Sequence, residues 1–158
     1  MIVNQNDMKQ TSTGIIGVGA QILNKQSFDQ EAVNLVLGLL SKRRHIYKKN
    51  IVALDCGANI GVHTIEWARH MHGSGQVHAY EAQERIYYAL AGNIAINNCS
   101  NARATWAAVG AKPGFLNVPR SITTNRQAMA ASSFANRRRT KISARPSATT
   151  NQTPMKCP

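Results

Sequence analysis

The chain has 158 residues, a mass of 17.2 kDa and a formal net charge of +12, with 43% hydrophobic and 16% charged residues. That balance fits one modest globular domain. No apolar run reaches the roughly 18 residues of a membrane span and the start is polar, unlike a signal sequence, while Cys56, Cys99 and Cys157 form no Cys-x-x-Cys pair that would indicate a zinc knuckle or disulfide scaffold. A cytoplasmic protein with free thiols and no membrane partner is expected.

Residues 1–26 read as a lead-in segment. Ser27 followed by Gln30 has the spacing of a capping box, and Ala32, Val33, Leu35, Val36, Leu39 and Leu40 then form a broad apolar stripe that ends in Lys42, Arg43 and Arg44, so a helix is predicted over about 28–44. Ile51 to Leu54 is a short continuous apolar run, the pattern of a strand buried on both faces. A glycine-containing turn from Asp55 to Gly61 follows, then a helix from about Ile60 to Met71 that Gly73 and Gly75 stop. Gln76 to Tyr80 reads as a second strand ending at Glu81, a third helix spans about Glu84 to Ile96, and a weak strand covers about Ala102 to Ala107. Strands alternating with helices imply parallel pairing through right-handed crossovers. The expected class is therefore α/β, a Rossmann-like sandwich with its ligand at the carboxyl ends of the strands.

Those ends carry the chemistry. Gly57 and Gly61 let the chain turn sharply and approach a ligand, and the helix that follows offers N–H groups with partial positive charge. Glu81 lies twenty residues beyond Gly61, where a carboxylate can accept both hydroxyl hydrogens of an adenosine ribose. Three nucleotide ligands compete. A Walker loop fails because Gly61 is followed by Val62 and His63 rather than Lys-Ser/Thr. A nicotinamide dinucleotide meets Asn59 where a second glycine would let pyrophosphate touch the backbone. Asp55 beside the turn would repel pyrophosphate but attract the sulfonium and ammonium groups of S-adenosyl-L-methionine, which places that cofactor first.

Four segments in order then carry a family resemblance: Val52 to Thr64 (VALDCGANIGVHT), Ala79 to Gln83 (AYEAQ), Leu90 to Asn98 (LAGNIAINN) and Ala107 to Gly110 (AAVG). Over roughly residues 28–118 the chain resembles the FkbM family of methyltransferases. The resemblance implies the N-terminal half of a class I methyltransferase fold, with residues 27–118 as the cofactor-binding region. It implies that Asp55, Gly57, Ala58, Asn59 and Gly61 line the methionine end of S-adenosyl-L-methionine, that Glu81 holds the ribose, and that Ala82 and Gln83 border the adenine. It further implies transfer of a methyl group to a hydroxyl oxygen of a sugar or other small metabolite, making a small molecule or glycan the expected acceptor. No catalytic base is assigned. In that family, later strands bring an Asp-Val-Glu-Gly-type segment to the acceptor side, and this chain has no acidic residue after Glu84.

The charge divides sharply along the chain. Residues 1–84 hold eight Lys or Arg against seven acids, a balance of +1, whereas residues 85–158 hold eleven bases and no acid, +11. From about residue 119 the apolar periodicity ends, and residues 119–158 are expected to form a disordered basic tail. Arg137, Arg138, Arg139, Lys141 and Arg145 raise the alternative of a non-enzymatic nucleic-acid-binding protein. Only Phe134 offers an aromatic platform there, so nucleic acid is not an expected partner. A slipped reading frame explains the shift more simply: Met129 to Asn136, back-translated as ATG GCA GCT TCG AGC TTC GCC AAC with one A before it, reads Asn-Gly-Ser-Phe-Glu-Leu-Arg-Gln in the shifted frame. This is a hypothesis that the gene's nucleotide sequence tests, and absence of continued similarity in the other frame would end it. Of the remaining candidates, His63, Glu66 and His70 could share a helical face and hold a metal, but a solvated face is the expected reading. Cys56 is expected to be packed rather than nucleophilic, and Tyr80, Tyr87 and Tyr88 to serve the core.

Overall fold

The computed structural model describes residues 1–4, 7–12, 14–119 and 137–143. A short antiparallel hairpin, β1 (Lys9–Thr11) with β2 (Gly14–Ile16), leads into α1 (Val18–Lys25), so the lead-in segment has structure of its own. The long α2 (Gln30–Tyr47) follows. Its N-cap is Asp29 at φ 47° with no side-chain cap bond, and Gln30 donates to Asn34 Oδ1 instead, so the expected capping box at Ser27 does not form.

The central motif is β3 (Ile51–Cys56), α3 (Val62–His70), β4 (Gly75–Glu81), α4 (Glu84–Ile96) and β5 (Ala102–Trp106). The three strands pair in parallel in the order β3-β4-β5, with Ile51 beside Gly75 and Val77 beside Ala102. A mixed α/β chain with such a sheet is compatible with a partial Rossmann-like fold. Two consecutive right-handed crossovers place their helices on the same side. Leu40, Ile51, Ile65, Ala68, Met71, Val77 and Cys99 form one core cluster on that side, and Ala58, Ala79 and Leu90 form a second. Burial of residues such as Ile65 and Leu90 contributes roughly 1.5–3 kcal/mol each.

The opposite face of the sheet is largely uncovered. Val52 and Leu54 are 58% and 46% exposed, and Cys56, Gln76 and Arg103 are also exposed, although Tyr80 at the carboxyl end is buried. The expectation of a strand buried on both faces is thus corrected: β3 alternates between a covered and a bare side because α2, α3 and α4 all pack against the same face. Cys56, expected to be packed, lies on the bare side. Among the described residues β3 pairs with β4 alone, which leaves a free edge. Exposed β-branched and apolar residues on an open edge favour association. Replacing Val52 and Leu54 together by Lys is expected to reduce light scattering on concentration while shifting the melting temperature little, and unchanged scattering would show that this face does not drive association.

A second sheet is built from β6 (Ala108–Val109), β7 (Gly114–Pro119) and β8 (Arg137–Ser143), with β8 parallel to β6 and antiparallel to β7. Residues 137–143, inside the segment expected to be a disordered basic tail, form β8. β7 offers an open backbone edge, and residues 137–143 pair with it from Gly114↔Ile142 to Pro119↔Arg137. The remainder of the predicted tail, with Phe134, Arg145 and Cys157, lies outside the described residues. No helix among the described residues is long and apolar enough to cross a membrane.

Candidate functional site at the carboxyl ends of β3 and β4

The turn between β3 and α3 is shaped by three residues in the left-handed region: Gly57 at φ 86°, Asn59 at φ 51° and Gly61 at φ 90°. Glycine enters that region without steric penalty, and asparagine tolerates it better than most residues. A methyl group at Gly57 would meet nothing within 4 Å, so the glycine is required by backbone conformation and the space beside it is open. Gly61 differs. A Cβ there would lie 2.6 Å from Leu90 Cδ1, so its closeness serves packing of α4 rather than approach to a ligand. Leu90 is fully buried and has little freedom to give way. Gly61→Ala is expected to cost about 2–4 kcal/mol, combining left-handed strain with overpacking. Chemical denaturation measures it, and a change below about 0.5 kcal/mol would contradict the packing argument.

The N–H groups of the turn are taken up within the protein. Gly57 and Ala58 both donate to the Tyr80 carbonyl at 2.9 Å, Asn59 donates to Glu81 Oε2 at 3.0 Å, Ile60 donates to Asn59 Oδ1 at 2.8 Å, and Gly61 donates to the Ala58 carbonyl at 2.9 Å. The donors expected to face a ligand are those at the start of α3, whereas the N–H groups of residues 57–61 are engaged within the turn itself. A phosphate cradle needs such groups unpaired. This turn is not one.

Two carboxylates remain at the strand ends. Asp55 is 7% exposed and accepts the Thr64 hydroxyl hydrogen at 2.5 Å. Its carboxyl is pushed above the usual range by burial, against the opposing influence of the Thr64 hydrogen bonds and the charge of His63. Glu81, also 7% exposed, accepts from Asn59 N–H through Oε2 and from Gln83 N–H through Oε1 at 2.7 Å. It therefore ties the glycine turn to the start of α4. A carboxylate oxygen has two lone pairs, so each can still accept a ligand hydroxyl.

Asp55, Gly57, Asn59, Gly61, Glu81, Ala82 and Gln83 are brought together at this end of the sheet. Ala82 is half-buried and its carbonyl accepts from Trp106 Nε1 at 3.0 Å, while Gln83 is the exposed N-cap of α4. Ala58 lies in the same turn, its side chain packed inward with Ala79 and Leu90. Two supporting residues had no role assigned from sequence. Thr64 holds Asp55, and its position nine residues later in the first turn of a helix was the available signal. Asn93 is fully buried in α4, donates from Nδ2 to the Ile60 carbonyl at 2.8 Å and the Ile2 carbonyl at 3.1 Å, and accepts from Ile2 N–H. An amide amid apolar residues on α4 was the hint.

The histidines of α3 turn to separate partners. His63 lies between Phe28 and Trp67, with ring centroids 5.8 Å away in each case, Glu66 pairs with Arg69 at 3.8 Å, and His70 meets Ser41.

No protein-family model matches the chain, and no curated protein matches its sequence. Among solved structures, it is similar to a methyltransferase FkbM from Methylobacillus flagellatus KT, with a TM-score of 0.37 and 16% identity. The match covers 43% of this chain and 19% of that one, so it spans about a fifth of the other protein's length.

Proposed function

We propose that this chain carries the cofactor half of an S-adenosyl-L-methionine-dependent methyltransferase of FkbM type, acting on a hydroxyl oxygen of a sugar or small metabolite. The observation that carries the reading is the pairing of a turn whose donors are already engaged with two buried carboxylates at adjacent strand ends. This arrangement suits a nucleoside that is cationic and lacks phosphate. Pyrophosphate would find no unpaired donors among residues 57–61 and would face Asp55, which disfavours a dinucleotide.

In this reading Glu81 accepts the ribose hydroxyl hydrogens while holding Asn59 and Gln83 in place. Asp55, oriented by Thr64, supplies negative charge toward the cationic end of the ligand. The open space at Gly57 admits the ligand beside the backbone. When bound, the cofactor supplies an electrophilic methyl group, and the protein's contribution is to align it with an acceptor oxygen.

Calorimetric titration of the folded chain with S-adenosyl-L-methionine, S-adenosylhomocysteine and NAD tests the proposal. Saturable binding of the first two and none of the third is expected. Binding of NAD alone, or of no ligand by a chain with a cooperative melting transition, overturns it.

A further inference from the structure

At the opposite end of the sheet from Asp55 and Glu81, the last turns of α2 meet the end of α3. Ser41 Oγ lies 2.9 Å from the Leu37 carbonyl oxygen and 2.9 Å from His70 Nε2. A carbonyl can only accept, so the single serine proton goes to Leu37 and His70 donates from a protonated Nε2. Beside this junction Ser41, Arg44, His45 and Lys48 line a cleft of about 340 Å³. All four side chains are exposed and the cleft is shallow and open to solvent, so a ligand there would be held at the surface.

The lining has one electrostatic sign. Arg44 in the last turn of α2 and Lys48 at its C-cap both line the cleft, with His45 between them in sequence. Residues 42–49 contain five Lys or Arg, one His and no acid. Among the described residues Arg69 pairs with Glu66, and neither Arg44 nor Lys48 has a carboxylate within ion-pair reach. Neighbouring like charges oppose one another, and an anion between them would relieve that repulsion. The carboxyl end of the α2 dipole adds a partial negative charge, so the side chains must supply more than one cation to hold such a ligand. Against that opposition, two neighbouring cations attract a dianion more strongly than a monocarboxylate, because the attraction scales with the charge of the ligand. Arg44 can grip two oxygens at once, and Lys48 contributes a compact point charge.

We propose that the cleft formed by Ser41, Arg44, His45 and Lys48 binds a phosphate-bearing anion, at a site separate from the candidate cofactor site. The phosphate could be carried by a soluble molecule or by a lipid headgroup, and the chemistry recognised is the same.

The full chain is titrated with inorganic pyrophosphate, and floated with phosphatidylcholine vesicles with and without phosphatidic acid. Three proteins are compared: the native chain, Arg44→Gln with Lys48→Gln, and Lys42→Gln with Lys49→Gln, which removes equal charge outside the cleft. Saturable pyrophosphate binding is expected, weakened about tenfold or more by the first pair and less than twofold by the second. Vesicle binding with the same dependence assigns the headgroup as the source, and binding of free pyrophosphate alone assigns a soluble ligand. Equal weakening by both pairs shows diffuse attraction and overturns the site. Absence of both pyrophosphate and vesicle binding also overturns it. The lining side chains are at the surface, and an unchanged melting curve for each variant secures the comparison. Arg44→Lys provides a further check: it keeps the charge, and the loss of paired donors alone is expected to weaken binding by about threefold.

Discussion

Glu81→Ala is expected to lower stability by about 3–5 kcal/mol and to abolish S-adenosyl-L-methionine binding in whatever fraction remains folded. The estimate follows from two hydrogen bonds to a buried carboxylate, each worth about 1.5–3 kcal/mol when one partner is charged. Truncation leaves Asn59 and Gln83 N–H without their acceptor, and both lie where the backbone changes direction. Glu81→Gln separates the structural from the binding role. Its amide has a single acceptor oxygen, so one of the two N–H groups loses its partner and about 1–3 kcal/mol is lost. A glutamine can still accept from one ribose hydroxyl, so binding should weaken measurably without vanishing. Denaturant titration gives the stability terms and calorimetry the affinities. If Glu81→Ala unfolds at the same denaturant concentration as the native chain, the clamp role is wrong, whatever the effect on binding.

The position of Glu81 shows how much of this end of the sheet the sequence could reveal. The spacing from Gly61 to Glu81 located the carboxylate at the right strand end, because a helix and a strand consume a fixed length of chain. Hydrogen bonding to Asn59 and Gln83 could not be inferred, since it depends on how far the turn folds over β4. Gly61 illustrates the same limit. Its presence was legible as a sharp turn, but whether the missing side chain makes room for a ligand or for Leu90 is decided by the packing of α4. The α-β-α-β-α-β order was readable because each periodic segment was bounded by glycine, asparagine or charge. The bare face of β3 was not: Ile51 to Leu54 is a continuous apolar run, and only the arrangement of the helices determines which half of it is covered. Residues 137–143 show a related limit: arginine-rich composition carries no sign that a neighbouring strand offers an open backbone edge to pair with.

Asp55→Asn should separate stability from cofactor attraction, and the two effects should have opposite signs. Burial raises the Asp55 carboxyl above its usual range, so the native state holds that proton more tightly than the unfolded chain does. The resulting contribution to stability is fully present below the ordinary carboxylate value of about 3.9 and is lost as pH rises through the raised native value. Asparagine keeps an oxygen to accept the Thr64 hydroxyl and carries no charge to desolvate. Relative to the native chain, the variant is therefore expected to gain stability as pH rises, with its melting temperature at pH 7 equal to or above the native one. Affinity for S-adenosyl-L-methionine should move the other way. In the native chain it should increase as Asp55 ionises, and in the variant that rise should disappear, leaving binding at pH 7 weaker by about tenfold, on the scale of one charge-assisted contact. Melting curves and calorimetry across pH 4 to 8 test both. A variant that loses stability at pH 7 would show that the ionised carboxylate supports the fold. A variant that keeps full affinity would remove Asp55 from the cofactor site and leave Glu81 as the carboxylate that acts on the ligand.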